Sequence, residues 1–405
     1  MKYLLTERVL RLGLALFVGV LAARVLGEVD YGILALALTI GHLALVMTNL
    51  GVDGLLVREY TRFPNFRFLQ NIFQLQMKVA VLIFLLSQSV YIFFPIIDWT
   101  LFLLVTSQVL IIPFYNLGFF LEANSNFKQY GISLIFAVVI TTVLRVVILL
   151  SNFFENKLLL FGCTYVVEIL IAGILFKRFL NFGIFSILLQ KPRRKFALSM
   201  LVKSRHSFFS AIIGFIIMKL DLIVIAAFID DSSISLGDIA LSIRLQDALA
   251  VIIFSFIQVQ SPILFRSLKS QTSNDYLACA KMLFTTITVF TIFYLILSQI
   301  FIEDMILLLV GKDFNDVPEI FLARNMFFIS LLVGQLAHIF ILLDRDYKMI
   351  FHKGILFLLL YIACLICLFL LSSYIAFVYL LGSLSLIINL LFLAYYFRRS
   401  LSSFS

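Results

Sequence analysis

The chain has 405 residues, of which 63% are hydrophobic and only 13% are charged. This composition excludes a soluble protein, because the polar residues are too few to cover so large an apolar interior, and lipid must surround most of the chain. The net charge of +9 does not indicate nucleic-acid binding, since the Lys and Arg residues fall in short clusters between apolar runs.

Apolar runs long enough to cross a bilayer predict an all-α polytopic membrane protein with about twelve transmembrane helices. The first run starts within about ten residues of Met1 and leads into further spans without a small-residue cleavage site, so we expect it to be retained. In chain order, the predicted helices cover residues 8–26, 32–52, 78–97, 101–121, 131–151, 158–177, 205–229, 238–262, 280–302, 320–343, 354–372 and 374–397.

The middle of the chain carries its densest basic segment. The stretch from Lys177 to Arg205 holds eight of the 31 Lys and Arg residues and no acid. Six predicted helices lie on each side of it, which predicts an N-lobe at 1–177, a basic cytoplasmic linker at 178–204 and a C-lobe at 205–405. Two six-helix lobes are typical of transporters that rock two bundles around a central site.

Loop charges predict the orientation of the helices. With the N-terminus inside, the cytoplasmic segments hold 23 Lys and Arg residues, and the outer loops hold only Lys157 and Lys312. Cytoplasmic loops of membrane proteins are enriched in Lys and Arg. We therefore expect both termini to lie in the cytoplasm.

Short motifs in both halves resemble one family. The sequences AARVLGEVDYGILALA and NLGVDGLLVREY in the first half, IIMKLDLIVIAAF at 216–228 and LLLVGKDFNDVPEIFLARNM at 307–326 are similar to Wzx-type polysaccharide flippases. These O-antigen or capsule repeat-unit flippases are members of the multidrug/oligosaccharidyl-lipid/polysaccharide exporter superfamily. The resemblance covers nearly the whole chain.

The resemblance implies a function, a location and partners. It implies that the protein carries polyprenyl-diphosphate-linked oligosaccharide repeat units from the cytoplasmic to the periplasmic leaflet of the bacterial inner membrane. Transport would proceed by alternating access and would serve the synthesis of surface polysaccharide, such as the O-antigen of lipopolysaccharide. The implied partners are this substrate, membrane lipids and other membrane proteins of polysaccharide assembly.

Cations inside the predicted spans are the first candidates for a binding site. Such groups cost several kcal/mol in the bilayer centre and normally face a bundle interior or a wet cavity. Arg11 lies within a turn of the cytoplasmic rim, so we expect its side chain to extend to the membrane surface. Guanidinium groups match the paired oxygens of a diphosphate, and the predicted substrate-binding residues are Arg24, Arg145, Lys219, Arg244 and Arg324.

Fewer acids than cations lie in these spans, which predicts a net positive cavity. Asp221, Glu168 and Asp53 are candidates for ion coupling, and Glu168 has the alternative of pairing with Arg145. Lys219 and Asp221 are two residues apart, so each needs a partner on another helix.

Two further groups of charges can be explained without a binding site. Arg244 and Asp247 are three residues apart and can pair on one helix face. Attraction to anionic lipid headgroups is sufficient to explain Arg58 at the inner rim, and a gating role is the alternative.

Two other functions remain open. An ion-coupled drug or small-molecule antiporter of the same superfamily would need a dominant acid in the N-lobe. An inner-membrane polysaccharide polymerase or ligase would need a sizeable outer loop with catalytic groups, and no predicted outer loop exceeds about twenty residues. We find no catalytic arrangement, metal-ligand spacing or cofactor motif, and therefore expect a transporter rather than an enzyme.

Overall fold

A computed structural model describes residues 2–51, 66–94, 96–124, 126–179, 194–228, 235–269, 273–311, 313–343, 347–371 and 373–402. This part of the chain contains thirteen α-helices, one short 3-10 helix at Tyr91–Phe93 and no strand. The helices are α1 (Lys2–Asn49), α2 (Phe66–Val90), α3 (Trp99–Thr106), α4 (Gln108–Tyr115), α5 (Gly118–Ala123), α6 (Phe127–Leu150), α7 (Lys157–Phe179), α8 (Arg194–Phe228), α9 (Leu236–Lys269), α10 (Ser273–Leu309), α11 (Val317–Leu343), α12 (Tyr347–Leu371) and α13 (Tyr374–Ser402).

The prediction of an all-α polytopic membrane protein is confirmed. Ten helical stretches within the described ranges are long and apolar enough to cross a membrane. The first of them, Val9–Asn49, contains two of the predicted spans, and α9 lies at the predicted eighth span. The predicted span at 101–121 is built from three consecutive short helices, α3 to α5, and Pro113 inside α4 removes one backbone donor there.

The first two predicted spans are joined more tightly than the sequence suggested. A loop was expected between residues 26 and 32, but α1 continues through this segment and departs from helical geometry only at Gly27, where φ is 77° and ψ is 175°. This positive φ is open to glycine at little cost, because glycine has no Cβ. One residue therefore turns the chain from the first span into the second.

The chain divides into two compact units, Met1–Ala240 and Leu241–Ser405. The first unit has a core of large apolar side chains where α2, α5, α6 and α7 meet, including Phe73, Phe120, Leu134 and Phe176. Gly118 brings α5 close to this core, since a Cβ there would lie 2.5 Å from the ring of Tyr130. The six-plus-six division into lobes remains a prediction.

In the second unit, α11 and α13 pack together over most of their length. Two glycines allow this close approach. A Cβ at Gly382 would lie 2.6 Å from the backbone nitrogen of Phe327, and one at Gly334 would lie 3.0 Å from the side chain of Asn389. Small residues at helix interfaces in membranes let backbones approach in this way.

The helices of the first unit present apolar side chains outward, as lipid requires. On α6, Phe136, Ile140 and Val143 are exposed, whereas Thr141 and Arg145 on the opposite face are buried. The Thr141 hydroxyl donates to the carbonyl oxygen of Ala137, 2.8 Å away, and also lies 3.5 Å from Oε2 of Glu168 on α7. The buried face of α6 is therefore the face that positions charged groups inside the unit.

Candidate functional site

A buried ion pair joins α6 and α7 in the first unit. The Nη2 atom of Arg145 donates to Oε2 of Glu168 at 2.9 Å. Only 6% of Arg145 is exposed, so a partner is needed to offset the cost of removing its charge from water. The sequence left open whether Glu168 pairs with Arg145 or is available for ion coupling, and the structure brings the two residues together.

Arg11 is a third member of this site, which the sequence analysis missed. Its Nη1 atom donates to Oε1 of Glu168 at 2.8 Å, and its Nε atom donates to Oε1 of Glu7 at 2.6 Å. The expectation that Arg11 simply extends to the membrane surface is therefore wrong. The four-residue spacing of Glu7 and Arg11 was a local signal for their pairing, whereas no local signal linked Arg11 to Glu168. We call Glu7, Arg11, Arg145 and Glu168 the arginine–glutamate cluster.

Neighbouring side chains on α7 hold Arg145 in place. Its Nε atom donates to the Thr164 hydroxyl at 2.8 Å. Its guanidinium carbon lies 4.1 Å from the ring centroid of Tyr165 and 5.9 Å from that of Phe161. A guanidinium over an aromatic face is attracted by the electrons of the ring. Arg145 is therefore oriented by an ion pair, a hydroxyl and two rings.

The charges of the cluster balance. Two arginines meet two glutamates, and Glu168 binds both arginines through different oxygens. The net positive cavity expected from the count of cations and acids therefore does not describe this cluster.

Among the described residues, each of the two arginines has one terminal nitrogen without a hydrogen bond. Nη2 of Arg11 is buried and has no partner among the described residues. The hydrogen bonds of Arg145 within the same ranges come from Nε and Nη2, which leaves Nη1. A buried donor without an acceptor is unfavourable, and native proteins rarely leave one unless a ligand, ion or water supplies the acceptor.

The second unit has its own buried cation, Arg324 on α11. Its Nη1 atom donates to the Tyr374 hydroxyl at 2.8 Å, and its Nε atom donates to Oε1 of Gln246 at 3.3 Å. The Gln246 amide donates in turn to the Tyr294 hydroxyl at 3.4 Å, and that hydroxyl donates to Asn325. Arg324 is only 4% exposed. Neutral polar groups from α9 and α13 therefore contact it directly, and a wider polar network continues to α10 and α11.

The other predicted site residues lie in several environments. Arg24 on α1 is exposed, and Lys219 on α8 and Arg244 on α9 are partly buried. Asp221 is only 4% exposed, and its Oδ1 atom accepts from the backbone amide of Leu222 at 3.0 Å. Asp53 and Arg58 lie outside the described residues. The roles of these residues in binding, coupling and gating remain predictions.

The fold of the chain is similar to that of several solved transporters. An inward-facing multidrug resistance MATE family transporter of the MOP superfamily aligns with a TM-score of 0.67 and 10% identity over 98% of both chains. Its outward-facing counterpart aligns with a TM-score of 0.59 and 11% identity, over 99% of this chain and 95% of that one. A MOP superfamily transporter from Pyrococcus furiosus aligns with a TM-score of 0.58 and 11% identity, over 100% of this chain and 95% of that one. These likenesses, together with the ten helical stretches able to cross a membrane among the described residues, show the fold of a multi-pass helical membrane protein.

The family follows from the sequence itself. The family model described as "Polysaccharide biosynthesis protein" matches residues 2–268, and the chain belongs to that family. No curated protein matches the sequence. The flippase-type family expected from the motifs is thereby confirmed.

Proposed function

We propose that the protein carries polyprenyl-diphosphate-linked oligosaccharide from the cytoplasmic to the periplasmic leaflet of the bacterial inner membrane, for synthesis of surface polysaccharide. Its membership of the polysaccharide biosynthesis family supports a glycan substrate. The observation that carries the proposal is the buried, oriented guanidinium of Arg145, which is tied to Glu168 on the next helix. Such a group serves an anionic substrate better than a cationic one.

The chemistry of the diphosphate suits this interior. Guanidinium groups bind phosphate oxygens through charge-assisted, often bidentate hydrogen bonds. The proposed binding residues are Arg24, Arg145, Lys219, Arg244 and Arg324. The lipid tail would stay in the bilayer, so only the diphosphate and the sugars need a polar path through the protein.

Transport by this proposal is alternating access between an N-lobe at 1–177 and a C-lobe at 205–405, connected by the linker at 178–204. Both termini would lie in the cytoplasm. Asp221, Glu168 and Asp53 are the proposed residues for ion coupling, and Arg58 is the proposed gating residue at the inner rim. Membrane lipids and other proteins of polysaccharide assembly are the proposed partners.

An ion-coupled drug antiporter of the same superfamily is the second candidate. The buried carboxylate of Glu168 is the observation in its favour, because a cationic drug or a proton needs such a group. The two arginines that donate to Glu168 argue against an antiporter, since they already neutralise the carboxylate.

Deletion of the gene tests the two candidates. Lipid extracts of the deletion strain should contain complete lipid-linked repeat units on the cytoplasmic leaflet, and surface polysaccharide should disappear. Wild-type protein should restore both, whereas an Arg145→Ala variant that is present in the membrane at the wild-type level should not. Normal surface polysaccharide together with increased drug sensitivity would favour the antiporter.

A further inference from the structure

We propose that Glu168 is a tethered competitor of the substrate's diphosphate: it occupies Arg11 and Arg145 when the site is empty, and it must be displaced when the diphosphate binds. The proposal rests on the proposed function and adds Arg11 to the binding residues. It also changes the expected role of Glu168 from ion coupling to occupancy of the anion site.

One carboxylate bridges two guanidinium groups, with Oε1 bound to Nη1 of Arg11 at 2.8 Å and Oε2 bound to Nη2 of Arg145 at 2.9 Å. A diphosphate likewise offers several anionic oxygens that can bridge two cations. Glu168 thus holds the two arginines as an anionic ligand would hold them.

Glu168 leaves one terminal nitrogen of each arginine unused among the described residues. Nη2 of Arg11 is buried without an acceptor, and Nη1 of Arg145 makes no hydrogen bond within the described ranges. In this arrangement the carboxylate of Glu168 meets one terminal nitrogen of each guanidinium group and leaves the other two without an acceptor among the described residues. A diphosphate has more acceptor oxygens and can serve the remaining nitrogens as well.

Other contacts hold both arginines when Glu168 moves away. Arg11 retains its bond to Glu7 at 2.6 Å, and Arg145 retains the hydroxyl of Thr164 and the ring of Tyr165. Both guanidinium groups therefore keep their orientation without Glu168. The anchors are independent of the carboxylate, as a site with an exchangeable anion requires.

The members of the cluster differ in their exposure. The side chain of Arg11 is 35% exposed and that of Glu168 is 15% exposed, whereas that of Arg145 is only 8% exposed. Arg11 and Glu168 are therefore the members that an incoming anion reaches, and Arg145 is the fixed base of the site.

The test uses purified full-length protein in detergent and farnesyl diphosphate as the probe, with farnesol as the uncharged control ligand. The probe binds only those molecules in which Glu168 has moved away from the arginines. The apparent affinity is therefore the intrinsic affinity multiplied by the fraction of such molecules. Glu168→Gln should therefore bind farnesyl diphosphate about tenfold more tightly than the wild type, on the same population argument. Farnesol binding should not change.

Two further variants separate competition from a general change of charge. Glu155→Gln removes one negative charge from an exposed position between α6 and α7, and its affinity for the probe should equal that of the wild type. Arg11→Gln in the Glu168→Gln background should abolish the gain. If Glu168→Gln proves unstable, Glu168→Asp replaces it, because the shorter side chain cannot bridge both arginines and should also bind the probe more tightly.

The outcomes distinguish this inference from the proposed function. Probe binding by the wild type without any gain in either Glu168 variant would overturn the competitor role and leave the diphosphate substrate standing. Equal gains in the Glu155 and Glu168 variants would also overturn it, since net charge would then be the cause. No binding of the probe by any variant would overturn both.

Discussion

Gly237, in the first turn of α9, lies directly against the carbonyl oxygen of Glu28 in α1, so close that a Cβ at Gly237 would be 2.2 Å from that oxygen. Gly32 takes part in the same contact, because its own Cβ would lie 2.7 Å from the backbone nitrogen of Gly237. The segment of α1 after its turn at Gly27 and the start of α9 thus meet backbone to backbone. Only residues without a side chain permit this approach.

We expect Gly237→Ala to separate this contact and to lower the stability of the protein by about 1–3 kcal/mol, the usual range for forced overpacking. The atom that would have to yield is backbone rather than a flexible side chain. Thermal unfolding of the purified protein in detergent measures the effect. Gly214→Ala in α8 is the matched control, because no atom lies within 4 Å of a Cβ there, and it should be neutral or slightly stabilising. Equal unfolding temperatures for both variants would contradict the prediction.

Arg145→Leu should destabilise the first unit by about 3–5 kcal/mol, the typical cost of removing one partner from a buried ion pair. Glu168 would keep Arg11 but lose its bond of 2.9 Å to Arg145. A double-mutant cycle with Glu168→Gln measures the coupling, and the double variant should be less destabilised than the sum of the two single variants. Additive effects would show that the two side chains do not stabilise each other.

Tyr374→Phe should destabilise the second unit by about 1.5–3 kcal/mol, the range for hydrogen bonds to charged groups. The change removes the hydroxyl that accepts from Nη1 of Arg324 at 2.8 Å and keeps the ring. Tyr379→Phe is the control, because Tyr379 on the same helix is 45% exposed. Unfolding by heat or denaturant compares the two variants, and an equal loss in both would argue against a role for the Arg324 contact.

We expect the protein to lose stability in acid because Asp98 becomes protonated. Its side chain caps α3, where it accepts from the Thr100 hydroxyl and from the backbone amides of Thr100 and Leu101. The hydrogen bond from the Thr100 side chain, followed by that from the Leu101 amide, lowers the pKa of Asp98 below its ordinary value of 3.8. A carboxyl with a lowered pKa in the folded state stabilises the protein above that ordinary value, and this contribution disappears as the pH falls through the lowered pKa.

The measurement is thermal unfolding of the wild type and of Asp98→Asn between neutral pH and about pH 3, a range that spans the ordinary carboxyl pKa. The difference in stability between the two proteins should be largest at neutral pH and should shrink in acid. Asp313→Asn changes an exposed acid in another loop and serves as the control. A difference that is constant across this range would contradict the assignment.

Much of the fold could be predicted from the sequence, because the length of an apolar run is a local property. Each predicted span overlaps one or more helices of the described residues, including α9, in spite of its polar residues. The ends of the helices were predicted less accurately. Helix α2 begins at Phe66 rather than at residue 78, and its first turns contain the buried residues Gln70 and Gln74. The predicted span began after these polar residues, but tertiary packing encloses them within a helix.

The candidate site could be predicted only in part. Arg145 and Glu168 stood out because charges inside apolar runs are rare, and their pairing was one of two alternatives. Arg11 was assigned to the membrane surface, because its distance from the helix end was the only local information.

By itself, the sequence determined an all-helical membrane protein, the positions of its spans and its family, since hydrophobic run length, loop charge and short motifs are all written in neighbouring residues. Only the tertiary structure decided that Arg11 meets Glu168 across 157 positions of the chain, and that Gly27 alone turns the first span into the second. The reason is physical: a run of apolar residues specifies that a helix enters the bilayer, but the packing of several helices together decides which of its faces meets which partner.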